Sequence, residues 1–301
     1  MSSKYSESGW KKRVNSEQEP FSYSLPQHLI AQRPVKPYDR ARLLVCDRAL
    51  SKVSNRLFLD LPEMLNERHF LVFNNSKVMP ARLLGEIRGS SARVELLLLE
   101  KHSPGVWSAI GKPFRRLSQG VEVVVNGEYP VLVQSADGKA LTVDFKSCPI
   151  SAEQLMERVG HMPIPPYIRK GLSDESDKHD YQAQFARDEG SIAAPTAGLH
   201  FTEELLGRIR AAGSKVGFVT LHVGRASFQS VVVGDGEITA PGEERYVYDS
   251  ELLSELDDFR SSGGKIIAVG TTVVRALESM RAVPVQKKGT VLRTSIFIRP
   301  P

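Results

Sequence analysis

The spacing of hydrophobic and polar positions changes partway along this chain. From about Leu71 to Lys146 the pattern is that of strands. Arg93-Val-Glu-Leu-Leu-Leu-Leu-Glu100 predicts a strand, and its four consecutive leucines predict burial on both faces. Residues 121–125, then Asn126-Gly127, then 129–133 predict a hairpin with a two-residue turn. Asp137-Gly138 offers a second turn into a strand at 140–145. Successive hairpins without helical periodicity predict a small antiparallel β-barrel.

The character changes at Pro149. Ser151-Ala-Glu-Gln154 is a capping-box pattern, followed by Leu155, Met156 and Val159, with Gly160 as the stop. A proline cluster at 163–166 and a charged loop at 174–180 come next. Thr202 caps a helix with Glu203 and Glu204 in its first turn and Leu205, Leu206 and Ile209 on one face; Gly213 ends it. Residues 215–223 predict a strand, and a helix from about Ser250 ends at Gly263-Gly264. Residues 265–269 predict a buried strand, and a helix carrying Val273, Val274 and Leu277 follows. Alternating strands and helices indicate an α/β unit.

The run Gly190-Ser-Ile-Ala-Ala-Pro-Thr-Ala-Gly-Leu-His-Phe201 is too irregular for a helix or a strand. Its small residues leave room for close approach of backbone to a ligand, and it feeds a helix N-terminus. Pro195 and Gly198 are therefore candidate substrate contacts, and Thr196 and His200 candidate catalytic groups. A tight structural loop is the alternative. Gly270-Thr271-Thr272 lies between a buried strand and a helix, where free N–H groups suit phosphate or carboxylate, and Arg275 sits one turn on. A threonine cap without a ligand is the alternative there. Asn74, Asn75, Ser76, Lys77 and Arg82 gather polar side chains and two cations fit for phosphate, or else form a solvated turn. Histidine titrates near neutrality, so His200 and His222 are the acid/base candidates; a packed, hydrogen-bonded histidine is the competing reading of each.

Composition adds limits. The chain has 301 residues, 41% hydrophobic and 25% charged, with formal net charge +5. That charge is compatible with a polyanionic partner. Cys46 and Cys148 match no metal spacing, so two thiols in a reducing cytosol are expected and no metal. No apolar run reaches the ~20 residues of a membrane span, the N-terminus has no secretory signal, and the Gly270 segment is not a P-loop. A cytoplasmic protein without a membrane, and a flexible tail over 1–19, are the expectations.

Several long motifs then occur in a fixed order: Leu25-Pro26 through Gln32 with Arg42-Leu43-Leu44-Val45; Leu71-Val-Phe-Asn-Asn-Ser-Lys-Val-Met-Pro-Ala-Arg-Leu83; Pro163-Ile-Pro-Pro-Tyr-Ile168; the 190–201 run; Leu221-His-Val-Gly224; and Ala268-Val-Gly-Thr-Thr-Val-Val-Arg275. Together they resemble the QueA family, the S-adenosylmethionine:tRNA ribosyltransferase-isomerases of queuosine biosynthesis. The resemblance implies an α/β main domain from 20–65 and 149–301, with the antiparallel β-barrel inserted over 66–148.

It also implies transfer and isomerisation of the ribosyl moiety of S-adenosylmethionine, a co-substrate, onto 7-aminomethyl-7-deazaguanine (preQ1) at the wobble position of tRNA. The products are epoxyqueuosine-tRNA, adenine and methionine. Under it, Asn74, Lys77, Arg82, Pro195, Gly198, Gly270, Thr271, Thr272 and Arg275 bind substrate, with His200, His222 and Thr196 catalytic, in a monomer. The Gly270 turn would hold the methionyl carboxylate or a tRNA phosphate, and Arg115 and Arg116 would extend a basic RNA surface. The chain departs from the family pattern at Tyr38, Ala41, Asp180, Ala183, 225–227 and Pro241-Gly242. It also lacks the family's Asn-Phe-His segment after Phe297, which marks a divergent or C-terminally truncated member. A non-catalytic relative that binds RNA or an adenosyl ligand is the alternative; an unrelated nucleotide hydrolase is disfavoured by the missing P-loop.

Overall fold

The computed structural model describes residues 23–138, 140–224, 233–234, 237–238 and 242–298. The expected tail at 1–19, the 225–227 departure, Pro241 and the last three residues lie outside them. Two-stranded pairing begins the fold: β1 (Arg42–Asp47) and β2 (Lys52–Leu57) form an antiparallel ribbon. The short helix α1 (Leu61–Met64) leads into β3 (His69–Asn74) and β4 (Ser76–Val78).

Six strands close the barrel: β5 (Arg82–Ile87), β6 (Arg93–Ser103), β7 (Val106–Lys112), β8 (Glu122–Val125), β9 (Tyr129–Asp137) and β10 (Ala140–Asp144). All six pairings are antiparallel, in the order β10-β7-β6-β5-β8-β9. Alternation fills the interior with Leu83, Leu96, Leu98, Ala109, Val123, Val131 and Leu141, all but excluded from solvent. The four-leucine run therefore splits between two environments. Leu96 and Leu98 point into the barrel, and Leu97 and Leu99 are half-buried against its flank. The predicted turn holds: Asn126 and Gly127 take φ of 50° and 72°, and the Glu128 amide donates to the Val125 carbonyl at 3.1 Å.

Helix α2 (Ala152–Val159) packs Ala152, Leu155 and Met156 onto the barrel core. Its capping box is complete: the Gln154 amide donates to Ser151 Oγ, and the Gln154 side chain accepts from the Ser151 amide. Gly160 does end it, but without a positive φ. A Cβ there would lie 2.0 Å from the Pro80 carbonyl oxygen, so the glycine is demanded by close approach of two chain segments.

The rest forms the α/β unit. Helix α3 (Asp177–Asp180), β11 (Asp188–Ser191), α4 (Glu203–Ala211) and β12 (Lys215–His222) come first. After the short pair β13 (Val233–Gly234) and β14 (Glu237–Ile238) follow β15 (Glu244–Val247), α5 (Ser250–Ser261), β16 (Lys265–Ala268), α6 (Thr271–Arg281) and β17 (Val291–Thr294). The main sheet runs β16-β3-β12-β15-β17, parallel across the first three strands and antiparallel beyond. Helices α5 and α6 cover one face. Helix α4, with Phe58, Leu61 and Leu65, covers the other. No helix among the described residues is long and apolar enough to cross a membrane.

The expected barrel span of 66–148 is too long at its start. The strand β3 is buried between β16 and β12 in the main sheet, and β4 pairs in parallel with β11. A fully buried strand has the same apolar pattern in either setting, so periodicity could not assign it.

Arg82, expected to face phosphate, is instead a tie between units. Its guanidinium donates to the Gly171 carbonyl and, at 2.8 Å, to Glu95. Its backbone exchanges hydrogen bonds with His161. Lys77 is more exposed and pairs with Glu189 at 2.7 Å. Replacing Arg82 by Ala should therefore cost about 1–3 kcal/mol, the worth of a charge-assisted bond whose partner is left buried. Replacing Lys77 by Ala should cost under about 0.5 kcal/mol. Urea unfolding of the two variants checks this; equal effects would contradict the assignment.

Candidate active site

A cavity of about 660 Å³ lies where three separate segments meet. Pro165, Pro166 and Tyr167 form one wall, with Tyr181 beside them. Residues 193–197 form another, and Gly270, Thr271 and Thr272 close it, with Val223 at the base. The volume lies within the ~300–1,000 Å³ of small-molecule sites.

Each wall follows from local sequence. The 190–201 run is less irregular than expected: Gly190 and Ser191 complete β11, and Thr196–His200 is a 3-10 turn. Buried Ala194 and Pro195 fix its course against the core. On the facing side, β16 ends in Gly270 at φ 97°, a conformation that favours glycine. A Cβ at that position would also stand 3.1 Å from Ala197, so the two walls approach through small residues. Gly270, not a threonine, caps α6, and no side chain caps it. Its carbonyl accepts from the Val273 and Val274 amides. The amides of Thr271 and Thr272 have no partner among the described residues and sit at the positive end of an eleven-residue helix.

Tyr181 is buried, and burial pushes its phenol up to about 12, so it is a neutral donor. Among the described residues, the lining carries no imidazole, carboxylate or amine. The chemistry it offers is anion binding at the helix terminus, hydroxyl donors and acceptors from Thr196, Thr271, Thr272 and the tyrosines, and apolar walls for a ring.

Behind the 190–197 wall runs a buried polar relay. The Val223 amide donates to Ser191 Oγ at 2.9 Å, Ser191 Oγ meets Ser76 Oγ at 2.7 Å, and Ser76 Oγ meets His222 Nδ1 at 2.8 Å. One run of donors from Val223 to His222 satisfies all four groups and leaves the imidazole proton on Nε2. The ring lies flat on Gly190, where a Cβ would come within 2.7 Å of Nδ1. Burial, with Arg245 nearby, pushes His222 down to about 4, so it is neutral at pH 7.

Comparison with known proteins shows the family to which the chain belongs. A family model described as "Queuosine biosynthesis protein" matches residues 18–301. The chain is 40% identical over 281 residues to the S-adenosylmethionine:tRNA ribosyltransferase-isomerase of Thermosipho africanus, covering 93% of this chain and 82% of that protein. It is 41% identical over 262 residues to the enzyme of the same name from Caldanaerobacter subterraneus, covering 86% and 76%. This chain belongs to the queuosine biosynthesis protein family. A crystal structure of S-adenosylmethionine tRNA ribosyltransferase from Thermotoga maritima is 29% identical and covers 93% of this chain and 79% of that one, with a TM-score of 0.44.

In this family member the expected site residues divide. Pro195, Thr196, Gly270, Thr271 and Thr272 line the cavity together. His200 does not. It stacks on Phe58 at 4.4 Å and lines a separate apolar cavity of about 360 Å³ with Leu71 and Ile267; burial holds its pKa below the usual value. His222 belongs to the relay, not to the lining. Asn74 is buried, and its amide donates to the Leu221 carbonyl while its oxygen accepts from the Leu221 and Ser76 amides. Gly198 packs on Phe185, where a Cβ would lie 2.9 Å from the ring. Arg275 points away to Glu244 at 2.7 Å and to the Gly242 and Thr294 carbonyls. Lys77 and Arg82 hold the structural pairs already described.

Two departures from the family pattern meet each other: Tyr38 Oη donates to Asp180 at 2.8 Å, with Lys36 Nζ 2.9 Å from the same carboxylate. Sequence reasoning assigned no role to Tyr167 or Tyr181. The signal was the rigid Pro163-Ile-Pro-Pro-Tyr run, which fixes backbone beside an aromatic ring.

His222 gives a pH signature. Its folded pKa lies below the unfolded value of about 6.5, so the unfolded chain binds the extra proton first. This site's contribution to stability is complete above about pH 6.5 and is lost as pH falls toward 4. Replacing His222 by Gln should flatten stability against pH across that window, measured by urea unfolding. An unchanged slope between pH 6.5 and 4 would count against a buried neutral imidazole.

Proposed function

We propose that this chain transfers and isomerises the ribosyl group of S-adenosylmethionine onto the aminomethyl-deazaguanine base preQ1 at the wobble position of tRNA. Epoxyqueuosine-tRNA, adenine and methionine are the products. The observation that carries the reading is the convergence of the proline wall, the 193–197 wall and the Gly270 turn on one cavity, in a member of this family.

The geometry supports a division of labour. The methionyl carboxylate is held by the Thr271 and Thr272 amides, where the helix end favours negative charge. Tyr167, Tyr181 and the prolines offer flat apolar walls to the adenosine. A sulfonium acidifies its neighbouring C–H bonds and makes methionine a neutral leaving group, so the substrate carries its own activation. The contribution of these residues is orientation and fixed dipoles.

Two measurements test this. Protein, S-adenosylmethionine and preQ1-containing tRNA should release adenine, and omission of the tRNA should abolish release. Binding of both ligands without release would favour a non-catalytic relative. Second, Thr271 is the first residue of α6, a position that accepts proline. Replacing Thr271 by Pro removes one cavity N–H while keeping the helix. It should weaken S-adenosylmethionine binding roughly tenfold or more, the worth of one charge-assisted hydrogen bond, with little change in Tm. Thr271→Ala keeps the amide and should bind more tightly than the proline variant. Equal binding by the two would remove the helix terminus from the site.

A further inference from the structure

The β1–β2 ribbon has a charge pattern unlike the rest of the surface. Residues 40–57 hold five cations, Arg40, Arg42, Arg48, Lys52 and Arg56, against one carboxylate, Asp47. All five are exposed, and none makes an ion pair among the described residues. Elsewhere several cations are paired with carboxylates, as with Arg82, Arg169 and Arg275. Asp47 is itself occupied, accepting from the Leu50 amide at 3.0 Å in the ribbon's turn.

The cations are not on one side. The register places Leu44 opposite Asn55 and Cys46 opposite Val53, on one face with Arg42. Arg56 and Lys52 lie on the other face, and Arg48 stands at the turn. A flat anionic surface would engage only one face. A ribbon with cations on both faces and at its tip matches a polyanion that surrounds it.

The ribbon's root adjoins the cavity. The 3-10 turn Tyr38–Arg40 leads directly into β1 and packs on the 3-10 turn Thr196–His200, whose first residue lines the cavity. Thr202 Oγ1 donates to Asp39 at 2.8 Å, which anchors that root. The Phe58 amide donates to the Ala41 carbonyl at 3.0 Å and closes the ribbon's base.

We propose that the β1–β2 ribbon is an arm that grips the sugar–phosphate backbone of the tRNA whose modified base enters the cavity. This rests on the functional reading above. Arg42, Arg48, Lys52 and Arg56 contact phosphates, and each contact releases counterions. Arg115 and Arg116 on the barrel, expected from sequence to form the RNA surface, are exposed and make no ion pair among the described residues either, but two cations on one short turn offer less than the ribbon.

The test is a salt titration of tRNA binding. The variants are R42Q/R48Q/K52Q/R56Q, R115Q/R116Q, and R208Q/R210Q on the exposed side of α4. Four lost contacts should flatten the log–log slope of the ribbon variant by about three. A fourfold rise in salt then costs the wild type roughly sixty-fold more affinity than that variant. The α4 variant should keep the wild-type slope, and the barrel pair should change it less than the ribbon does. The ribbon variant should bind S-adenosylmethionine as the wild type does, since its changes are surface side chains.

RNA binding with equal slopes for wild type and ribbon variant overturns the arm and leaves the functional reading intact. No tRNA binding by the wild type overturns both. Cys46 supplies an independent readout on the exposed face of the ribbon. In a Cys148→Ser background, a thiol-linked benzophenone on Cys46 should crosslink to bound tRNA upon irradiation. Crosslinking only between protein chains would assign the ribbon to self-association and refute the proposal.

Discussion

The structure depends on a buried polar junction where β3 ends, β12 passes and β4 meets β11. Asn74, Asn75, Ser76 and Ser191 are shut off from solvent there, with no charged group among them. Most of their side-chain bonds cross between segments far apart in sequence. Asn74 satisfies the Leu221 amide and carbonyl; the Asn75 amide donates to Val219; Thr220 Oγ1 donates to Asn75 Oδ1 at 2.7 Å. Buried polar groups without partners would each cost about 1–3 kcal/mol, so the network is stable only when every strand is in register. That requirement fixes the 188–195 segment against the sheet, and with it one wall of the cavity.

The same junction explains how the chain leaves the sheet to build the barrel and returns. From Ser76 the backbone runs along β11 for three residues, then turns at Met79–Ala81 into the barrel. The return is held by the backbone pairing of Arg82 with His161 and by the Arg82 guanidinium on Gly171. The proline wall of the cavity begins just after that pairing. The barrel is thus coupled to the site through its first residue and the strand-like link at 161, and its interior contributes no lining residue.

What the sequence made legible followed from chemistry local to a few residues. The Asn126-Gly127 turn, the Ser151–Gln154 box and the Thr202 cap each state their conformation directly, because the bonds that matter lie within four positions. What it hid was depth. Asn74, Ser76 and His222 read as ligand groups because a polar side chain looks the same in sequence whether it faces a substrate or a buried partner. Arg82 and Arg275 read as phosphate contacts because their partners, Gly171 and Glu244, lie 89 and 31 residues away. The cavity's tyrosines went unassigned for the opposite reason: an aromatic ring with one hydroxyl carries no distinctive titration, and only its position beside the Gly270 turn gives it a role.

Among the described residues the lining holds no ionised side chain, which bears on how a zwitterionic sulfonium would be oriented. In the proposed reading the only strong field among the described lining groups is the N-terminal end of α6. That field attracts the methionyl carboxylate and repels the sulfonium, so it selects one orientation of the molecule along the cavity. A carboxylate from the protein near the sulfonium would stabilise the charged ground state and oppose the loss of that charge as methionine leaves. Tyr181, held neutral by burial, introduces no such charge. Threonine and tyrosine hydroxyls can turn as donors or acceptors while the positive charge on sulfur is lost and negative charge develops on the departing purine. The site's polarity is therefore built from fixed backbone dipoles and rotatable hydroxyls, which suits a reaction whose positive charge must disappear rather than persist.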